Sequence, residues 1–412
     1  MQNKRLEGRR LSKSLFIMLD IIINKEKEAE NIILVENGKM LEHYLSSEED
    51  KKKRLEGNIY AAKVGDIMNG MQAAFVDFGE IKKGFIHLKD SLPRVDVTKN
   101  DIDYSKKITS ILKPNQKILV QIKKDSDLTK GARVSTHINL TGKYIVLMPN
   151  TSFITVSQKI ENKEKQKELK KLLKEKLPKD HGAIIRTSSE NATKEQIEED
   201  LNKLLKKWKD IEEKFNKCKD YPKLILESDS IVEKMITDLS QKKIDQIFTN
   251  NEAEYKKISS KYKDSGIKIS LEKNKDLLEM YDLKDQIEKN EKRKIWLNCG
   301  GFITIDKTEA LTAIDVNTGK YTGKKDLEST IFKVNKEATV EIAKQLRLRD
   351  IGGIIIIDYI DMKNNENKQK IENLLKEELK KDRAKTQVEG FTKLNLMELT
   401  RKHICGHLIT QD

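Results

Sequence analysis

Two aspartates in the C-terminal third of the chain stand where a divalent cation could be held. Asp315 lies in Ala-Leu-Thr-Ala-Ile-Asp-Val-Asn, residues 310–317, and Asp358 follows the run Gly-Gly-Ile-Ile-Ile-Ile, residues 352–357. Paired carboxylates at a strand edge suit a hard, oxygen-seeking ion. Mg²⁺ takes one or two carboxylates and keeps waters or phosphate oxygens in the rest of its shell. An ion there can neutralise a phosphodiester, stabilise the leaving oxygen or lower the pKa of an attacking water. Asn317, two residues beyond Asp315, faces the same way and could position the water or the phosphate. Asp361 is a spare carboxylate, but its odd spacing from Asp358 points it elsewhere. The competing reading is structural: Asp358 caps the next helix and Asp315 ends a strand.

The elements that must position the pair are legible. Residues 311–317 alternate, which predicts a strand with Leu311, Ala313, Asp315 and Asn317 on one face. Residues 352–358 form a continuous apolar run, as expected of a strand buried on both faces. Between them Asp326 can cap a helix whose apolar positions are Ile331, Val334, Ala338, Ile342 and Leu346, and Gly352-Gly353 supply its stop. The unit is β-α-β, so the two strands should be parallel, and both aspartates should lie toward carboxyl ends, where open α/β sheets place ligands.

The chain has 412 residues, with 81 Lys+Arg against 67 Asp+Glu, and a net charge of +14. That balance favours a polyanionic partner, nucleic acid first, although a lysine-rich proteome would give the same count. Cys218, Cys299 and Cys405 are far apart with no Cys-x-x-Cys, which fits a reducing, cytoplasmic setting and not a disulfide scaffold. No stretch approaches membrane-span length. The apolar run at residues 15–23 is short, broken by Asp20 and not followed by a small-residue cleavage site, so it reads as the start of a first strand.

Residues 1–14 read as a polar extension. Residues 32–44 predict a hairpin turned at Asn37-Gly38. Residues 55–137 hold short strands and turn glycines, which suggests a small barrel. Strand signals recur at residues 144–148 and 183–186. An amphipathic helix carrying Leu169, Leu172 and Leu173 lies between those two strands, and a second carries Leu201, Leu204, Leu205, Trp208, Ile211 and Phe215. Residues 225–290 are mixed α/β and strongly charged.

In the barrel segment, residues 73–79 alternate so that Ala74, Val76 and Phe78 face inward, with Phe75 and Asp77 outward. Ile86 and Leu88 likewise suit the core, which leaves Phe85 and His87 outside. Two exposed rings near Lys82, Lys83 and Lys89 form a device for single-stranded nucleic acid: bases stack on the rings and lysines track phosphates. OB-type barrels use such a face. Packing of either ring under a neighbouring domain is the structural alternative.

Together these residues resemble the bacterial ribonuclease E/G family over nearly the whole chain. The most specific stretch is residues 308–317, followed by residues 343–353 and Ile-Asp-Tyr-Ile-Asp-Met at residues 357–362, with the spacing between the aspartates matched. Residues 58–85 look like that family's S1 domain. The resemblance implies an α/β and α+β multidomain enzyme. Its expected parts are an RNase H-like subdomain split between residues 15–53 and 227–290, an inserted S1 (OB-fold) barrel at 54–137, a 5′-sensor at 138–226 and a DNase I-like catalytic subdomain at 291–412. It implies a Mg²⁺-dependent endoribonuclease that cuts single-stranded, AU-rich RNA to leave 5′-phosphate and 3′-hydroxyl ends. Such enzymes act in rRNA and tRNA processing and mRNA decay in the cytoplasm, as possible homodimers.

Carried onto this chain, the family's metal ligands are Asp315 and Asp358, with Asn317 on the catalytic asparagine. Phe75 and Phe85 fall on the S1 aromatics, and Lys124 and Lys130 on lysines that hold RNA. The 5′-monophosphate pocket maps to Gly142, Val146, Arg186 and Thr187. Departures from the family pattern are Gln158, followed by Lys159, and Lys385, each where better-studied members have arginine. The Cys-Pro-x-Cys zinc link between protomers is missing. His403, Cys405 and His407 crowd within five positions, an awkward spacing for tetrahedral zinc, so zinc is disfavoured and the zinc-linked dimer with it. The alternative function is a non-catalytic RNA-binding or ribosome-associated protein, which would have no need of the acidic pair. A DNA nuclease with the same metal chemistry is a further rival.

Overall fold

Asn37 and Gly38, at φ +52° and +79°, make the tight turn that the Asn-Gly pair announces, because both central positions of a type I′ turn need positive φ. Around it stand β1 (Leu19–Glu26), β2 (Ala29–Glu36) and β3 (Lys39–Ser47), an antiparallel meander. This computed structural model describes residues 18–91, 107–126, 130–239, 244–263, 265–319 and 327–405. Asp326, His407 and the polar extension at residues 1–14 lie outside the described residues. Two compact units share the chain: one takes residues 1–48 and 242–412, the other residues 49–241.

The second unit opens with a closed barrel. β4 (Ile59–Met68), β5 (Ala73–Asp77), β6 (Gly84–His87), β7 (Lys117–Lys124) and β8 (Arg133–Ser135) run in the order β4-β5-β6-β8-β7, and β4 pairs β7 to close it. This is a five-stranded barrel consistent with an OB-like fold. Its interior holds Val64, Ala74, Val76, Phe78, Ile86, Val120 and Val134, all buried, so the inward residues read from alternation are the core.

The same unit continues through β9 (Leu140–Thr141), β10 (Ile145–Pro149), β11 (Ile154–Val156) and β12 (His181–Ile185), a four-stranded sheet in the order β11-β12-β10-β9. The helices Lys163–Lys176 and Lys194–Lys217 bury Leu169, Leu172, Leu173, Leu201, Leu204, Trp208 and Ile211 in the core beside it. The second helix starts in a full capping box, Thr193 with Gln196, which satisfies two orphan amides. β13 (Lys223–Leu226) returns to pair β4 on the barrel.

The first unit resumes with β14 (Gln246–Thr249) and β15 (Lys268–Leu271). β14 lies parallel to β1, Asp20 opposite Gln246, so the chain's first strand and one more than 200 residues later share a sheet in the order β15-β14-β1-β2-β3. On β3, Glu42 accepts from Arg383 and from the Tyr44 hydroxyl, with the Arg383 and Glu42 side chains only 7% and 6% exposed. His43, beside them, is held neutral: burial pushes its imidazole from the ordinary 6.5 down to about 4, and Nε2 shares a 2.8 Å hydrogen bond with Asn31 Oδ1. A base with a depressed folded pKa contributes stability that is present above 6.5 and lost as pH falls from there through about 4, because the unfolded chain binds that proton more readily. His43→Gln should therefore flatten the fall of the thermal midpoint between pH 6.5 and 4. An unchanged slope in the variant would assign that loss to other groups.

A second, six-stranded sheet completes this unit: β16 (Lys294–Trp296), β17 (Phe302–Lys307), β18 (Leu311–Asn317), β19 (Gly353–Asp358), β20 (Thr386–Phe391) and β21 (Leu396–Arg401), in the order β16-β17-β18-β19-β21-β20. β18 and β19 are parallel neighbours joined by the helix Leu327–Leu348, as the β-α-β reading requires. Ile331, Val334, Ala338, Ile342 and Leu346 of that helix are buried in a core with Ile303, Ile314, Ile355 and Ile357, and the helix Asn365–Lys380 adds Ile371, Leu375 and Leu379.

One expectation fails here. β19 is not buried on both faces: Ile355 and Ile357 are fully buried, whereas Ile354 is 50% exposed and Asp358 is exposed. The helices cover one side of the sheet only. A continuous isoleucine run reads alike whether a sheet is covered once or twice, so its composition could not tell the two apart. Among the described residues no helix is long and apolar enough to cross a membrane.

Candidate functional site

The open face of the six-stranded sheet gathers the acidic residues. Along β18, Thr312, Ile314 and Val316 are buried, while Ala313 and Asp315 are exposed. The register sets Asp315 directly opposite Asp358 across the parallel pair, one strand spacing apart, about 4.8 Å between backbones. Among the described residues neither carboxylate forms an ion pair with a cation. Asn317 donates from Nδ2 to Asp315 Oδ2 at 2.6 Å, so its amide orients that carboxylate directly. Burial, and then the Asp315 and Asp361 charges, push the Asp358 carboxyl above its ordinary value. Two like charges at this spacing favour sharing a proton or a cation.

The end of β19 is held from behind. Asn335, wholly buried, donates to the Ile360 carbonyl at 2.8 Å and accepts from the Ile360 amide at 3.2 Å. Glu328 accepts from the amides of Lys363 and Asn364, and Tyr359 meets Thr339 through its hydroxyl at 2.9 Å. The crossover helix thus fixes the strand exit that carries Asp358. Asp361 lies past the strand and accepts weakly from Asn395 at 3.5 Å, which leaves it out of the facing pair while its charge still acts on Asp358. Among the described residues no group of three or more His, Cys, Asp or Glu could hold a metal. Two facing carboxylates match Mg²⁺, which needs no larger protein cage.

In the other unit the barrel surface forms a row. Phe75 lies opposite Phe85, Phe85 opposite Arg133 and Arg133 opposite Lys124, across four adjacent strands. The two rings meet edge to face, centroids 6.2 Å apart at 73°, and both are half-buried. Lys124 and Lys130 are exposed. Arg133 is the member of this row that the sequence did not single out. Its guanidinium forks onto Asp90 at 2.9 and 3.0 Å while its side chain stays 48% exposed. A lone arginine on a three-residue strand carries no periodic signal.

Gly142, Val146, Arg186 and Thr187 lie on or beside the four-stranded sheet. Arg186 donates to the Gly142 carbonyl at 2.6 Å and pairs with Asp238, an aspartate that no local pattern connects to it. Thr187 shares a 2.9 Å hydrogen bond with Ser157 through its hydroxyl, and Val146 lies opposite Ile184, half-buried. Gly142 has a packing reason of its own. The Asp200 carboxylate accepts from the amides of residues 143, 144 and 145, and a Cβ on Gly142 would come within 2.5 Å of Asp200 Oδ2. Gln158, next to this cluster's Ser157, is exposed, as are Lys159 and Lys385. At the other end of the chain, His403 Nδ1 meets the Asp350 carbonyl and the Cys405 amide donates to the Asp350 carboxylate, so the described part of that trio is engaged with Asp350.

Known proteins resemble this chain over most of its length. The profile of the ribonuclease E/G family matches residues 139–404. The chain is 33% identical over 392 residues to ribonuclease G of Salmonella typhimurium, covering 93% of this chain and 79% of that protein. It is 34% identical over 392 residues to ribonuclease G of Haemophilus influenzae, with the same coverage. It is also 35% identical over 399 residues to ribonuclease E of Buchnera aphidicola, covering 95% of this chain and 41% of that longer protein. A match of this length, together with parallel strands that bring Asp315 and Asp358 face to face, places the chain in the ribonuclease E/G family of RNA-cleaving enzymes.

Proposed function

We propose that this protein is a Mg²⁺-dependent endoribonuclease that cuts single-stranded, AU-rich RNA in rRNA and tRNA processing and mRNA decay, in the cytoplasm. The observation that carries this reading is the Asp315–Asp358 register, with Asn317 locked onto Asp315. A protein that only bound RNA would gain nothing from two mutually repelling carboxylates on an open sheet face. Asp315 and Asp358 would hold the ion. When bound, Mg²⁺ supplies charge neutralisation of the phosphodiester and acidification of the attacking water. Asn317 keeps Asp315 turned toward its partner. Asn335 and Glu328 keep Asp358 from swinging out with its loop.

The parts then divide as an S1-type barrel, a 5′-sensor, an RNase H-like subdomain and a DNase I-like catalytic subdomain. Phe75 and Phe85 stack bases, and Lys124, Lys130 and Arg133 answer the phosphates. Phe75→Ala should weaken oligonucleotide binding roughly tenfold, the low end of ~1–3 kcal/mol per stacked base, with the thermal midpoint nearly unchanged. Unchanged affinity would remove this ring from the RNA surface.

Arg186 with Gly142, Val146 and Thr187 would receive a 5′-monophosphate, which must compete with Asp238 for the guanidinium. The experiment offers one single-stranded oligonucleotide bearing a 5′-monophosphate, triphosphate or hydroxyl. Cleavage is expected in all three, fastest on the monophosphate, with the difference erased in Arg186→Met. No cleavage of any of them contradicts the enzyme reading. Equal rates in the wild type remove the sensor role alone.

A further inference from the structure

The open face that carries the acidic pair continues two strands further, onto the β16–β17 hairpin. That hairpin turns through Leu297, whose amide donates to the Gly301 carbonyl at 2.8 Å. Its register aligns Trp296 with Phe302, and Phe302 in turn with Asn317. Two pairs further along, Lys294 is aligned with Thr304 and Thr304 with Asp315. Register partners share a face, so Trp296 and Lys294 lie on the same side of the sheet as Asp315 and Asn317. Two strand spacings, about 10 Å, separate β16 from β18.

Trp296 is 56% exposed, against 5% for Trp208, the chain's other tryptophan. Its ring meets Phe302 edge to face, with centroids 5.3 Å apart at 62°. The Lys294 ammonium lies 3.6 Å from the Phe302 centroid and 4.3 Å from the Trp296 centroid. A cation at this distance is held by the ring faces. Core packing does not account for a tryptophan left this open, and beyond Phe302 and Lys294 the face carries the polar residues Thr304, Asp315 and Asn317.

Building on the nuclease reading, we infer that Trp296, with Phe302 and Lys294, is a stacking subsite for a base of single-stranded RNA, beside the acidic pair. Each part has a task. The indole offers a flat, sequence-tolerant platform. Phe302 props its edge. Lys294 places a positive charge where the phosphate joined to the stacked base must pass. An apolar protein partner would meet a polar border here, whereas the Lys294 ammonium beside the rings answers the phosphate of a nucleotide whose base stacks on the indole.

Trp296 fluorescence reports the subsite directly. An unlabelled single-stranded RNA oligonucleotide is titrated into the whole protein in EDTA, and the emission change of Trp296→Phe is subtracted, which removes the contribution of Trp208. A saturable quench is expected in the wild type and not in Trp296→Phe. Trp296→Ala should weaken binding roughly tenfold and raise KM with kcat less affected, and Trp296→Phe should recover most of the affinity. Because the side chain is surface-exposed, thermal midpoints should match.

Absence of a quench at concentrations where fluorescence anisotropy shows the oligonucleotide bound would overturn the subsite. So would a quench that grows with protein concentration without RNA, which would mark a contact between copies. If the quench is absent and Mg²⁺-dependent cleavage is intact, the subsite falls and the nuclease reading stands. If the quench is present and no cleavage occurs, the subsite stands and the nuclease reading falls.

Discussion

Asp315→Asn and Asp358→Asn are each expected to lower cleavage of a single-stranded RNA oligonucleotide by roughly a thousandfold or more, while the oligonucleotide still binds. Asparagine keeps the size of the side chain and removes its charge, so the change tests the charge alone. The two carboxylates face each other in register, and Asp358 already holds its proton more tightly than an ordinary aspartate because of burial and the Asp315 and Asp361 charges. Removing either charge relieves that repulsion, so the metal-free variants should melt no lower than the wild type. Loss of activity together with loss of stability would mean that the pair is structural. Full activity in either variant would remove the pair from the chemistry.

Arg401→Met is expected to have the largest effect on stability. Arg401 lies on β21, beside the strand that ends in Asp358. Its side chain is fully buried and donates to Asp382 at 2.8 Å, to Asp350 at 2.7 Å and to the Ile351 carbonyl at 3.0 Å. Asp350 in turn accepts from the Ile404 and Cys405 amides, so one guanidinium ties the start of β19 to the chain beyond β21. Removing it leaves two buried carboxylates without their cation, which costs about 3–5 kcal/mol and should lower the melting transition of this unit by roughly 10 °C. A drop of less than about 1 kcal/mol would mean that water or the chain relaxes to pair those acids.

The sheet that carries the acidic pair was legible for a local reason. Alternation in residues 311–317 and the three-and-four spacing from Ile331 to Leu346 are periodic signals within one β-α-β unit, and a crossover of that length leaves parallel neighbours. The Asn37-Gly38 turn and the inward residues of the barrel were legible in the same way. What escaped is non-local. The single exposed face of β19 depends on which side the helices cover, and four isoleucines in a row do not encode that. Arg133 joins Phe75, Phe85 and Lys124 only through the order of strands in a closed barrel. Asp238 reaches Arg186 from 52 positions away. Trp296 carries no local signal of its own, and only pairing with β17 puts it on the face of Asp315. Chemistry-bearing types at regular spacing are local features of the chain, whereas partners set by register and topology arise only in the folded sheets.

If Asp315 and Asp358 hold a catalytic ion, cleavage depends on a divalent cation. One single-stranded RNA oligonucleotide is incubated with the protein in Mg²⁺, in excess EDTA, and in EDTA followed by excess Mg²⁺, and the product ends are identified. Cleavage is expected in the first, none in the second and recovery in the third, with 5′-phosphate and 3′-hydroxyl ends. Cleavage undiminished by EDTA, or products ending in a 2′,3′-cyclic phosphate, would contradict that role of the pair.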